Sequence, residues 1–275
     1  MKTCKTVAEF RAARAALPAL GVVPTMGFLH EGHLSLVRRA KAECGAAAVT
    51  IFVNPTQFAP HEDFSRYPRA LARDLELVEA AGADLVFAPD VSEMYPEGYD
   101  LRIEVGGVTS RLEGAVRPAH FSGVATVVAK LLNITQASRA YFGQKDAQQC
   151  VVIRKLARDL NLPCEIVVCP TVREADGLAM SSRNAYLSPE QRERATVLYR
   201  ALSAAKARHE AGQTRAEALR AAIHDVLAET PEAGVDYVSV ADPDTLEELD
   251  EVKDGALVSL AVRFGPTRLI DNFLL

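Results

Sequence analysis

Short apolar runs alternate with helical patterns through the first half of the chain. Residues 21–25, 48–53, 85–88, 140–142 and 165–168 are brief, apolar and bounded by Gly, Pro or Asp, as buried parallel strands are. Between them lie helical stretches at 34–43, 70–80, 123–132 and 147–160. Leu71, Leu75 and Val78 fall at helical spacing; Val151, Leu156 and Leu160 do so more loosely. This alternation predicts an α/β fold with a Rossmann-like, doubly wound parallel sheet. Residues 100–106 are expected to add a small strand or hairpin outside that core. The last hundred residues follow a different pattern. Residues 189–211 read as one long helix, opened by the cap pattern Ser188-Pro189-Glu190-Gln191. Residues 214–228 read as a second helix, with Thr214 and Glu217 spaced as a capping box. Strand patterns follow at 235–240, 256–262 and 267–272. Helices followed by strands predict a smaller α+β domain. The expected division is a domain at 1–176 and a second at 177–275.

Charge sharpens that division. The chain has 275 residues and a net charge of −5. Residues 1–176 carry 20 basic and 20 acidic residues, and 177–275 carry 11 and 16, so the whole excess lies in the last third. Seven of those acids fall between Asp242 and Asp254, a cluster expected to be a solvated face. With 49% hydrophobic residues the chain can bury a core, which argues against disorder and disulfide-stapled mini-folds. Mild acidity argues against a nucleic-acid partner. The longest stretch free of Asp, Glu, Lys and Arg, starting at Cys44, contains Asn54, Gln57 and two prolines, so no membrane span is expected. Glu9, Arg11 and Arg14 interrupt any apolar signal core near the N-terminus. Five cysteines without a C-x-x-C pair read as free thiols in a cytoplasmic protein.

Three segments carry chemistry. Pro24-Thr25-Met26-Gly27-Phe28-Leu29-His30-Glu31-Gly32-His33 follows the first predicted strand and leads into a helix. Ligands of open α/β sheets bind at the carboxyl ends of strands. A helix N-terminus offers free N–H groups to phosphate. His30 and His33, three apart, share a helix face and can donate to phosphoryl oxygens as charge develops. Two surface histidines, or a metal pair, would also account for this segment alone. Phe142-Gly143-Gln144-Lys145-Asp146 again joins a strand to a helix; Lys145 can reach a phosphate and Asp146 can accept from ribose hydroxyls. By itself it could be a plain strand-to-helix turn. Gly177-Leu178-Ala179-Met180-Ser181-Ser182-Arg183-Asn184 offers two hydroxyls and a guanidinium, good phosphate ligands. It could equally be a polar loop with a capping serine.

Together the three are far more specific. Residues 24–33 with the later Met-Ser-Ser-Arg resemble the paired motifs of adenylate-forming nucleotidyltransferases, which carry H-x-G-H. The sequences Phe52-Val53-Asn54-Pro55-Thr56-Gln57-Phe58, Tyr67-Pro68-Arg69, Arg117-Pro118-Ala119-His120-Phe121-Ser122-Gly123-Val124 and residues 142–149 narrow this to a resemblance to the pantoate–β-alanine ligase family. The resemblance implies ATP-dependent joining of pantoate to β-alanine through a pantoyl adenylate, in pantothenate and coenzyme A biosynthesis. It implies ATP contacts from Met26, Gly27, Phe28, Leu29, His30, Glu31, Gly32 and His33, from Gly143, Gln144, Lys145 and Asp146, from Val172, and from Met180, Ser181, Ser182 and Arg183. His33 would be the proton donor, with His30, Lys145, Ser181, Ser182 and Arg183 also catalytic. Gln57 and Gln149 would bind pantoate, and Arg117 would lie at an anionic ligand. Mg²⁺ is implied with ATP, with Asp74 at the family's acidic position; its neighbour Arg73 stands where some members have a second acid. A homodimer is also implied.

Overall fold

The computed structural model describes every residue except Pro18 and His61. Internal contacts divide the chain into two compact units. One comprises Met1–Gly143 with Val152–Cys169, the other Gln144–Val151 with Pro170–Leu275. The single cut after residue 176 expected from the linear pattern does not express this interleaving.

The first unit is built on a six-stranded, all-parallel sheet. Its elements run β1 (Lys2–Cys4), α1 (Val7–Arg14), β2 (Gly21–Thr25), α2 (Glu31–Cys44), β3 (Ala47–Ile51), α3 (Leu71–Ala80), β4 (Leu85–Phe87), α4 (Val91–Met94), α5 (Leu112–Val116), α6 (His120–Thr135), β5 (Arg139–Gly143), α7 (Ala147–Asp159) and β6 (Glu165–Cys169). Helix α7 begins in residues that pack with the second unit and ends in this one. The strand order is β1-β4-β3-β2-β5-β6. The chain therefore winds outward from β2 through β3 to β4 on one side, and from β5 to β6 on the other. The reversal between β2 and β5 is the topological switch point at which open α/β sheets bind ligands. The central strands are apolar because both faces are covered: Val22, Val23, Val49, Val86 and Ala140 are fully buried. Helix α6 is likewise buried almost all round, from Phe121 to Thr135. At its start Gly123 lies so close to Thr56 that a Cβ would sit 2.4 Å from the Thr56 carbonyl oxygen.

The sequence pattern locates β2 to β6 and α2, α3, α6 and α7 to within a few residues. It passes over β1, because three residues of mixed polarity carry no periodicity, and over α1, which buries only Phe10 and so shows no apolar stripe. Residues 100–106 form no strand; Ile103 is tied instead by its N–H to the Thr126 hydroxyl, at 2.9 Å.

In the second unit, helices α8 (Pro189–Arg194), α9 (Val197–Glu210) and α10 (Ala216–Leu227) precede an antiparallel sheet of β7 (Ala233–Ala241), β8 (Leu257–Phe264) and β9 (Thr267–Leu274), in that order. Leu198, Leu202, Leu219 and Ile223 of the helices pack in one core with Val258, Leu260 and Val262 of β8. The capping box at Ser188 and Gln191 forms as expected. The single helix expected over 189–211 is broken at Ala195 and Thr196, where the Thr196 hydroxyl donates to the Glu193 carbonyl at 2.8 Å. The expected Thr214 cap does not form. Helix α10 is capped by Arg215 without a side-chain bond, and the Ala216 N–H goes to the Asp250 carbonyl at 2.9 Å. All five cysteines are free. Among the described residues no helix is long and apolar enough to cross a membrane.

Candidate functional site

In the first unit the site grows from the carboxyl end of β2. The Thr25 hydroxyl donates to the Thr50 carbonyl at 2.7 Å and accepts the Gly27 N–H at 3.2 Å, which ties the strand end to β3. The chain then turns through two left-handed residues, Gly27 at φ 84° and Phe28 at φ 51°. Glycine tolerates this; phenylalanine does so at a cost of about 1–2 kcal/mol. The compensation comes from Asp74, in the first turn of α3 and 1% exposed. Its Oδ2 accepts the Phe28 N–H at 2.7 Å and its Oδ1 the Leu29 N–H at 2.8 Å. Arg73 completes the clamp, donating to the Leu29 carbonyl at 3.1 Å and lying over the Phe28 ring.

The turn delivers His30 to the N-cap of α2 and His33 to its first turn, with ring centroids 4.0 Å apart. The His30 N–H points at His33 Nδ1 across 3.4 Å. With Nδ1 as the acceptor, a neutral His33 carries its proton on Nε2 and can donate from there. Both rings are half-buried; Gly32 sits between them, and Glu31 is exposed and paired with Arg38.

Gln57 is held against this turn. It is buried, on a single 3-10 turn (Pro55–Gln57) capped by Asn54. Asn54 Nδ2 donates to Gln57 Oε1 at 3.1 Å, so the amide orientation is set and Gln57 Nε2 points to the Met26 sulfur, also at 3.1 Å. A thioether is a weak acceptor, so a ligand oxygen replacing it would gain a better bond. Asn54 is fixed in turn by the Tyr95 hydroxyl, which donates to its Oδ1 at 2.8 Å.

Behind Gln57, His120 Nδ1 lies 2.9 Å from the Gln57 carbonyl and must donate to it. Burial, with Arg117 beside it, pushes the His120 imidazole down to about 4, so the ring is neutral at pH 7. Arg117 is paired within the protein itself. Its Nε and Nη2 donate to the two carboxylate oxygens of Glu62 at 2.6 and 2.8 Å, and Nη2 also reaches the Gln57 carbonyl at 3.3 Å. Burial raises the Glu62 carboxyl, but the Arg117 bonds outweigh it and the net direction is down.

In the second unit, Gln144, Lys145 and Asp146 form one 3-10 turn leading into α7. Their chain predecessor, Gly143, ends β5. The Lys145 ammonium is mostly buried and lies 3.5 Å from Asp146. Gln149 stands half-buried in the first turn of α7. Val172 and Met180 face each other across a hairpin, the Met180 N–H donating to the Val172 carbonyl at 3.0 Å. Ser181 then caps the turn Ser182–Tyr186, accepting the Arg183 N–H at 3.3 Å. Ser182 is buried and Arg183 half-buried. Lys145, Ser181, Asn184 and Asp271 line one small cleft.

Among the described residues no group of three or more His, Cys, Asp or Glu could hold a metal ion. Asp74, expected at the metal, is buried with each oxygen engaged by a backbone N–H of the Phe28 turn. Asn54 and His120 lie inside motifs quoted for the resemblance but are not marked there as site residues. Only their folded contacts with Gln57 give them a role.

The family model described as Pantoate-beta-alanine ligase matches residues 2–274. Similar curated proteins include the pantothenate synthetase of Chloroflexus aggregans, 62% identical over the whole of both chains. That of Roseiflexus castenholzii is 63% identical over 100% of this chain and 99% of its own. Among solved structures, pantothenate synthetase from Thermus thermophilus superposes with a TM-score of 0.96 at 52% identity, covering 100% of this chain and 99% of its own. Pantoate-beta-alanine ligase from Francisella tularensis, complexed with beta-gamma ATP and beta-alanine, gives 0.82 at 36% identity, covering 100% and 97%.

The first unit's geometry has two measurable consequences. Asp74→Ala strands two backbone N–H groups and is expected to lower unfolding free energy by about 2–5 kcal/mol in urea titration. Asp74→Asn, which keeps one acceptor, should lose less, and equal stability of all three proteins would show that the turn holds without the carboxylate. The second concerns pH. The unfolded chain takes up a proton at His120 below its ordinary value of 6.5, while the folded chain refuses it until about 4. The stability carried by the neutral ring is therefore complete above pH 6.5 and lost as pH falls towards 4, by up to about 1.4 kcal/mol per pH unit. Urea midpoints at pH 7 and pH 5 should fall less in His120→Gln than in the parent; equal falls would remove His120 as the source.

Proposed function

This chain belongs to the pantoate–beta-alanine ligase family, and we infer from that membership that it condenses (R)-pantoate with β-alanine in an ATP-dependent reaction. The products are pantothenate, AMP and pyrophosphate, and the reaction serves pantothenate and coenzyme A biosynthesis. The observation that carries the reading is the meeting of Gln57 with Met26 at the turn that presents His30 and His33, at the switch point of the sheet. A phosphate-binding turn and an oriented neutral amide in contact suit a substrate that bears both a carboxylate and hydroxyls.

We propose that the reaction runs through a pantoyl adenylate. A pantoate carboxylate oxygen attacks the α-phosphorus of ATP, the α–β bridging bond breaks, and pyrophosphate leaves. The β-alanine amine then attacks the acyl carbon, the C–O bond to phosphate breaks, and AMP leaves with the oxygen that came from pantoate. A proton lost from the amine balances the step. Gln57 and Gln149 hold pantoate without adding a buried charge. His33, donating from Nε2, and His30 stabilise charge that grows on the phosphoryl oxygens. Met26, Gly27, Phe28, Leu29, Glu31 and Gly32 shape the nucleotide-facing turn. Lys145, Ser181, Ser182 and Arg183 hold the phosphates, while Gly143, Gln144, Asp146, Val172 and Met180 accommodate the nucleoside. Mg²⁺ enters as part of the MgATP substrate. The homodimer and cytoplasmic setting belong to the same proposal.

Purified protein given MgATP, pantoate and β-alanine should form AMP and pantothenate together, with neither amine nor acid alone supporting turnover. Pantoate labelled with ¹⁸O in its carboxylate should transfer one label to AMP. Unlabelled AMP would rule out the adenylate, and equal AMP formation with unrelated carboxylic acids would sink the assignment of substrate. His33→Ala should lower kcat by a factor of about 10² or more with little change in the KM for pantoate, because its contact strengthens as charge develops. Unchanged kcat would take His33 out of the chemistry.

A further inference from the structure

The second unit contains a side-chain hub that neither the motifs nor the family resemblance marks. At its centre are two consecutive residues of β9, Asp271 and Asn272, 2% and 4% exposed. The Asn272 amide is spent entirely on the turn that carries Lys145. Its Nδ2 donates to the carbonyls of Gln144 at 3.0 Å and Lys145 at 2.9 Å, and its Oδ1 accepts from Gln144 Nε2 at 3.1 Å. A single planar amide with two donors and one acceptor engaged leaves that turn little freedom.

Asp271 fixes Asn272 and reaches the other loop. Its Oδ1 accepts the Asn272 N–H at 2.8 Å. Its two oxygens accept a bidentate pair from Arg173, at 2.7 and 2.9 Å. The guanidinium also donates to the Gly177 carbonyl at 3.0 Å and lies against the rings of Tyr199 and Phe273, 5.1 and 4.9 Å from their centroids. Gly177 is the left-handed bend, at φ 91°, of the hairpin that leads into Ser181, Ser182 and Arg183. Any side chain at Gly177 would strike Tyr199, 2.2 Å from an added Cβ. One strand thus grips both phosphate-directed segments of this unit, and Lys145, Ser181 and Asp271 line the same cleft.

We propose that Asn272 is a positioning residue for Lys145: it holds the Gln144–Lys145 turn so that the ammonium meets the phosphates of ATP, with Asp271 and Arg173 bracing it. This rests on the reading of Lys145 as a phosphate ligand. The Asn272 bonds end at Lys145, so a misplaced ammonium acts on phosphate chemistry and leaves the pantoate-binding amides of Gln57 and of Gln149, carried by α7, in place, which gives the test its direction.

The experiment uses the full chain with Asn272→Ala and the isosteric Asn272→Asp, each also in a Lys145→Ala background. The aspartate keeps an acceptor for Gln144 but turns an oxygen towards two carbonyls. Both single variants are expected to keep their fold by circular dichroism. Both should lose about 10–100-fold in kcat/KM for ATP while KM for pantoate stays within about twofold. In the Lys145→Ala background the same changes should add less than about twofold, because the group through which Asn272 acts is gone. Normal ATP kinetics in Asn272→Asp would overturn the proposal. So would full additivity with Lys145→Ala, equal losses for ATP and pantoate, or loss of the folded state in both variants. If Lys145→Ala is itself without effect on ATP kinetics, the reading of Lys145 falls and this proposal with it. If Lys145→Ala is impaired but the Asn272 variants are normal, only this proposal falls.

Discussion

One buried carboxylate decides whether the first unit has a site at all. Between β2 and α2 the backbone must reverse its course within a few residues, and it does so through left-handed Gly27 and Phe28. The second of these is strained for an L-residue, and its N–H and that of Leu29 point inward. Asp74 accepts both at 2.7 and 2.8 Å. A carboxylate so deeply placed would be costly if unpaired, by several kcal/mol. Here two N–H donors and the positive end of α3 offset that cost. Space allows little else: a Cβ on Gly27 would lie 3.1 Å from the Asp74 oxygen and from Ile51. Strand end, turn and helix start are thereby locked to each other. The positions of His30, His33 and Met26 follow from that lock.

The surroundings of Gln57, beside the turn, are organised on a different electrostatic principle. Gln57 presents a neutral amide to the Met26 sulfur, and the residues that orient it are neutral at the point of contact: Asn54, Tyr95 behind it, and the un-ionised His120. The strong charges, Arg117 and Glu62, cancel each other one layer back, in a bidentate pair only 15% and 18% exposed. On the proposed reading, a pantoate carboxylate at Gln57 would meet oriented dipoles without a fixed cation. That suits a nucleophile: a full positive charge beside the attacking oxygen would lower its reactivity, whereas amide donors position it and cost little reorganisation. A neutral His120 serves the same end, since a charged ring there would place a second cation next to Arg117.

How much of this can be read from the chain depends on how local the cause is. Strands β2 to β5 are legible because burial on both faces makes them continuous apolar runs, and the half-buried edge strand β6 still keeps the apolar run Ile166-Val167-Val168. The His30–His33 turn is legible because a ligand-binding turn needs glycine, histidine and a helix start close together in the chain. Thr214 and Glu217 carry the spacing of a cap, but the Asp250 carbonyl reaches the helix start first. Thr196 looks like any helix residue until its hydroxyl takes the Glu193 carbonyl. Asp74 is visible as an acidic position; that it faces two backbone N–H groups 45 and 46 residues away is not. Arg173 and Asp271, 98 residues apart, leave no local signature at all. The family motif places Arg117 at an anionic ligand but does not show that Glu62 pairs with it.

The two units solve the same problem with different materials. On the proposed reading, each must hold short, polar, glycine-containing turns still enough to act on phosphorus, where misplacement by about 1 Å can cost a factor of 10² in rate. The first unit uses one carboxylate against backbone N–H groups, because its turn presents donors inward. The second uses one amide against backbone carbonyls, because the Gln144–Lys145 turn presents acceptors inward. The match between side-chain type and exposed backbone group explains why an aspartate stands at 74 and an asparagine at 272. Exchanging the two chemistries would leave like poles facing each other at both sites. On the proposed reading, lysine and arginine bring the charge and serine the hydroxyls that meet phosphate, but the long basic side chains are flexible and entropically expensive to order. Their usefulness therefore depends on the immobile backbone beneath them, and that immobility is what Asp74 and Asn272 supply.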